Sequence, residues 1–151
     1  MAVQFATCSY PEFSSRMGIP VRATVGAPRY RLAYILGGFM PEAAPDRRFM
    51  NRGFDGFRHA MREKLDTVGI ERFTELAQRI ADNHKQPDGT VVFLCFENGI
   101  NQKGWCHRHM LAEWLREQTG QEVPELGTFS PDDPLFVKGD EPPPFEALGL
   151  F

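Results

Sequence analysis

An α/β domain built on a mainly parallel sheet is what this sequence predicts, and three features predict it. Thr90–Phe96 (TVVFLCF) is an uninterrupted apolar run between turn residues, as expected of a strand buried on both faces. Two amphipathic helical stretches precede it and a third follows. A short segment near Val123 completes a strand–helix–strand order, which folds as a parallel βαβ unit. The expected architecture is one three-layer, Rossmann-like domain over residues 1–126 and an extended, acidic, Pro-rich tail over 127–151.

The first element is a strand over Val3–Tyr10, with Val3, Phe5 and Thr7 on one face and Cys8 on the other. Pro11–Gly18 reads as a polar loop. Val21, Ala23 and Val25 alternate with Arg22 and Thr24 in a second extended stretch, which Gly26-Ala27-Pro28 closes. The run Leu32–Leu36 reads as a possible third strand, broken at Gly37-Gly38. Met50, Phe54, Phe57, Met61, Leu65 and Val68 then form one helical stripe, with Asp55 as the expected N-cap and Gly69 as the stop. Phe73, Leu76, Ala77, Ile80 and Ala81 give a second helix that ends before Pro87. After the buried run, Asn98–Gly104 is a loop into a helix from about Trp105 to Thr119, capped by Gly120. The strand near Val123 is expected to pair parallel to its predecessor.

A chain of 151 residues is long enough to bury a core without metal or disulfide staples. Its 42% hydrophobic and 25% charged composition excludes a wholly disordered or collagen-like protein. No apolar run is long enough to span a membrane, and the N-terminus lacks a signal-peptide pattern. Three cysteines cannot all pair within one chain, so the expected compartment is the reducing cytoplasm. Charge is uneven. Nine arginines and three acids between Arg16 and Arg62 give that stretch +6, in a chain whose net charge is −3. Such a concentration either binds an anion or pairs with the acidic half of the same domain.

Chemistry-bearing residues gather in Leu94–Leu115 (LCFENGINQKGWCHRHMLAEWL). Cys95 and Glu97 fall at the C-terminal end of a central strand, where open α/β sheets bind ligands. Cys106, His107 and Arg108 fall in the first helical turn, where free N–H groups favour anions and lower thiol pKa values. Leu111 and Leu115 mark the buried face, so His107 and Arg108 are expected to project over the sheet edge towards Glu97. Glu97 is read either as a catalytic or orienting carboxylate, or as the structural partner of Arg108. Cys106 is read as a structural thiol or a nucleophile. Its two-residue spacing from Arg108 does not match a phosphatase-like loop. Cys95, Cys106, His107 and His109 match no closed tetrahedral pattern, so no metal site is expected.

This segment resembles the domain of unknown function 488 family, whose members carry Leu-Cys-x-Glu at the end of a buried strand and Cys-His-Arg at the start of a helix. Here these are Leu94, Cys95, Glu97, Cys106, His107 and Arg108, and Leu36-Gly37-Gly38 is similar to the family's Leu-Gly-Gly. The resemblance covers roughly residues 3–126. One departure is Thr7-Cys8-Ser9, where many members have Asp-Val-Arg. The resemblance implies an α/β fold and a site at these residues, without an established reaction.

Three function classes follow. One is a small enzyme acting on a nucleotide, nucleic acid or other anionic substrate, with Arg108 binding the anion, His107 as acid/base and Glu97 orienting. Cys106 completes the catalytic set, and Cys95, Arg22, Arg29 and Arg31 are the ligand-binding candidates. A second is a non-catalytic nucleic-acid or nucleotide-binding module using the Arg16–Arg62 arginines. The third is a protein-interaction factor. No cofactor is identifiable. Residues 124–151 carry six prolines, and the tail holds Phe129, Leu135, Phe136, Val137, Phe145, Leu148, Leu150 and Phe151. It is expected to dock these anchors in an apolar groove, on its own domain or on a second copy to give a homo-oligomer.

Overall fold

The computed structural model describes residues 2–96 and 107–127. Its four strands are β1 (Gln4–Ser9), β2 (Ile19–Arg22), β3 (Gly38–Phe39) and β4 (Thr90–Cys95). They form one sheet in the order β1-β4-β2-β3, and every pair is parallel. The apolar run becomes β4, the strand between β1 and β2, and Val91–Cys95 are all buried. A single parallel bridge joins Thr7 to Glu125. Its backbone bonds run from Thr7 N to Pro124 O (3.0 Å) and from Leu126 N to Thr7 O (2.7 Å). The segment near Val123 therefore adds to the sheet beside β1 rather than beside its predecessor β4.

The helices are α1 (Phe54–Val68), α2 (Ile70–Asn83) and α3 (His107–Thr119). The stripe of α1 buries Phe57, Met61 and Leu65, and α2 buries Phe73, Ala77 and Ala81. Gly69 closes α1 and opens α2 with φ +80°, a conformation that favours glycine, and its N–H bonds Leu65 O at 2.9 Å. The N-cap of α1 is Gly53; Asp55 lies one residue inside the first turn, where its charge still complements the helix dipole. Gly120 ends α3, with its N–H on Arg116 O at 2.8 Å.

Two core layers flank the sheet. Val3, Phe5, Ile19, Val21, Val91 and Phe93 pack with all three α-helices. Phe73 centres this layer, edge-on to Trp114 (5.6 Å between centroids) and to Phe5 (5.9 Å). Ala6, Cys8, Tyr10, Val92, Leu94 and Phe96 point the other way, and Phe13, Met17, Tyr30, Leu32, Tyr34 and Leu36 cover them. Among the described residues that second cover is irregular chain with one short 3-10 turn (Ser15–Met17), and no α-helix. Leu32–Leu36 is not a strand, and β3 begins at Gly38, inside the expected break. No described helix is long and apolar enough to cross a membrane. The expected loop Asn98–Gly104 and the tail from Thr128 onwards lie outside the described residues.

Candidate functional site

The C-terminal ends of β1, β4 and β2 meet the start of α3, and the predicted site residues fall there. His107 and Arg108 are both fully buried. They diverge towards different strands. His107 Nε2 lies 2.7 Å from Ala23 O, just beyond β2. A carbonyl only accepts, so Nε2 carries the proton. Burial lowers the His107 pKa to about 4, with the Arg108 charge acting in the same direction against the Ala23 bond. The ring is neutral at pH 7.

Arg108 reaches the other way. Its Nε donates to Glu125 Oε1 at 2.8 Å and its Nη1 to Cys95 Sγ at 3.0 Å. Glu125 also accepts from Thr7 Oγ1 (2.8 Å) and from the Gly127 N–H (2.9 Å). Burial alone would raise the Glu125 carboxyl. The His109 ring, 3.6 Å away, and Arg108 outweigh that effect and hold it below its ordinary value. Burial pushes the Cys8 thiol up to about 12, and the Glu125 charge adds to the rise. A thiol so raised is protonated and unreactive at pH 7. Glu12 extends the cluster: Ser9 Oγ donates to its Oε1 at 2.7 Å. A Cβ on Gly127 would stand 2.6 Å from Glu125 Oε2 and 2.7 Å from Glu12 Oε1, so glycine lets the chain pass between two carboxylates.

Of the predicted set, Cys95, His107 and Arg108 are thus brought to one sheet edge, while Glu97 and Cys106 lie outside the described residues. Glu125, Glu12 and Thr7 were not singled out from sequence. Alternation gives the missing signal for Glu125. Counting two residues on from buried Val123 puts it on the helix side, facing α3. Among the described residues, no cluster of three His, Cys, Asp or Glu side chains is placed to hold a metal ion.

The arginines divide into groups. Arg48, Arg58 and Arg62 have acidic partners: Asp46, Glu113 and Glu117. Arg22 donates to the carbonyls of Thr24 and Val25, and its guanidinium stacks 4.0 Å above the Phe39 ring. Arg16, Arg29, Arg31, Arg47 and Arg52 are exposed and make no ion pair with described residues. They do not form one face. Arg29 and Arg31 flank Tyr30, on the helix-free side of the sheet, whereas Arg47, Arg48 and Arg52 flank Phe49, on the helical side. Beside Phe49, a cleft of about 310 Å³ is lined by Arg48, Arg52, His59, Glu63, Lys64 and Thr67. Lys64 is fixed there by Pro41 O, Ala44 O and Asp46 Oδ1 at 2.6–2.8 Å.

No protein-family model, curated protein or solved structure matches this chain.

Proposed function

We propose that this protein is a binding module for a compact phosphorylated ligand of nucleotide size, held by Arg47, Arg48 and Arg52 at the cleft beside α1. The observation that carries the reading is that Arg52 lines this concave surface beside Arg48, exposed and without an acidic partner among the described residues, and that Arg47, next to Arg48 in the chain, is likewise exposed and without one. Guanidinium forks suit phosphate oxygens, whereas the Lys64 ammonium in the same lining is already paired with Asp46, so the arginines supply the positive charge. The division of arginines between opposite sides of the sheet favours a compact anion over a long nucleic acid. Membership of the domain of unknown function 488 family is part of the proposal. It rests on Leu94, Cys95, Glu97, Cys106, His107 and Arg108.

The test is a salt titration of nucleoside triphosphate binding to the full chain. Affinity should fall steeply between low and physiological salt, since each phosphate contact is screened. Replacing Arg47, Arg48 and Arg52 together by Ala should weaken binding at least tenfold and flatten the salt dependence. Binding that is absent at low salt, or indifferent to the triple substitution, would overturn the reading.

A second reading, a small enzyme acting on an anionic substrate, draws support from Glu12 and Glu125 facing each other across Gly127 at the strand ends. In it Arg108 keeps Glu125 ionised, and Glu12, which accepts from Ser9, serves as base. Its test is hydrolysis of simple phosphoesters, abolished by Glu12→Gln. Turnover that survives Glu12→Gln would contradict it.

A further inference from the structure

The helix-free side of the sheet carries an apolar surface with a cationic rim. Ile35 is 91% exposed, and Met17, Tyr30, Leu32, Tyr34 and Leu36 are only partly buried where they cover the second core layer. Arg16, Arg29 and Arg31 are the chain neighbours of Met17, Tyr30 and Leu32 in this surface, exposed and without ion pairs among described residues. One exposed aliphatic is ordinary by itself; Ile35 next to a run of partly buried apolar side chains makes a continuous apolar surface, the kind that meets another segment. Leu126 packs into the same layer, so the chain reaches residue 127 at the margin of this surface.

The residues that follow have the complementary chemistry. Segment 128–151 holds Asp132, Asp133, Asp140, Glu141 and Glu146 against Lys138 alone, a net −4, with eight large apolar residues between them. Phe129, its first anchor, is three residues beyond Leu126, within ~10 Å of chain at ~3.3–3.6 Å per residue.

We infer that the apolar surface around Ile35, rimmed by Arg16, Arg29 and Arg31, is the docking site for the protein's own acidic C-terminal segment, residues 128–151. The apolar anchors cover Ile35 and its neighbours, and the carboxylates meet the three arginines. The anion site proposed at Arg47, Arg48 and Arg52 lies on the other side of the sheet, so the two engage different arginines and fail independently.

Lys138 supplies the readout, because it is the one trypsin site in 128–151. In the full-length protein, cleavage after Lys138 is followed by mass spectrometry with and without Ile35→Asp, and with Arg29→Glu/Arg31→Glu. Ile35 is outside the core, so its replacement leaves helical circular dichroism and melting intact. Docking predicts that each variant is cut about tenfold faster than wild type and that amide exchange at 30–36 accelerates in parallel. High salt should speed wild-type cleavage towards the Arg29→Glu/Arg31→Glu rate. Equal cleavage rates in all three proteins overturn the assignment. A dimeric wild type that becomes monomeric with Ile35→Asp overturns it too, because the occupant is then a second copy.

Discussion

His107 and Arg108 are adjacent in sequence yet brace different strands, one through a neutral ring on Ala23 and the other through a charge on Glu125. The ring makes a pH prediction. Its folded pKa of about 4 lies below the ordinary 6.5, so on acidification the unfolded chain takes up a proton that the folded chain refuses. Stability present above pH 6.5 is therefore lost as pH falls towards 4, by on the order of 3 kcal/mol. Glu125, held below its ordinary value, adds a further loss at lower pH. Urea unfolding at stepped pH measures this, and His107→Gln should flatten the slope between pH 6.5 and 4; an unchanged slope contradicts the assignment. For the buried pair, Arg108→Met should cost about 3–5 kcal/mol, because it leaves the Glu125 charge uncompensated. Adding Glu125→Gln should recover a measurable part, and strict additivity would refute the pairing. The burial of His107 and Arg108 was legible because Leu111 and Leu115 fix the phase of α3, but their divergence to Ala23 and to Cys95 and Glu125 was not. Glu125 was not legible either, because it is far in sequence from Thr7 and follows Pro124 in a segment with no sustained helical or strand pattern of its own, and only tertiary closure brings Thr7 and Arg108 to it.

At the scale of elements, helical periodicity identified α1 and α2, whose buried positions follow the stripes in the sequence, and an unbroken apolar run identified β4. The same rule failed for Leu32–Leu36. Leu32, Tyr34 and Leu36 turn inward while Ala33 and Ile35 turn out, which is a strand's alternation. Here it comes from an irregular segment laid over a sheet face without a ladder of its own. The contact between α1 and α3 sorts its energies by burial. Arg62 and Glu117 form an exposed pair (2.6 Å) screened by solvent, so Arg62→Ala should change stability little. Trp114 is buried against Phe73 and donates to Asp66 at 2.9 Å, so Trp114→Ala should cost about 3–5 kcal/mol. Thermal unfolding ranks the two, and comparable losses would contradict this division.

Across the whole molecule, a net charge of −3 conceals two groups of exposed arginines without ion pairs among the described residues, Arg29 and Arg31 on one side of the parallel sheet and Arg47 and Arg52 on the other. Composition revealed the excess, but not its division, which depends on the chain passing from one side of the sheet at Tyr30 to the other at Phe49. The α/β class and the parallel sheet were legible for a related reason: a doubly buried strand must be all apolar. The expected second helical layer was not visible in the sequence as a failure, since apolar coil and apolar helix cover a sheet equally well. The most direct test of the central claim is to titrate a nucleoside triphosphate into the isotopically labelled full-length protein at low salt and follow the backbone amides. The account predicts shifts gathered at Arg47–Gly53 and along α1 facing the cleft, lost when Arg47, Arg48 and Arg52 are replaced by Ala. Shifts confined to Thr7, Glu12 and Gly127, or no shifts at all, would contradict it.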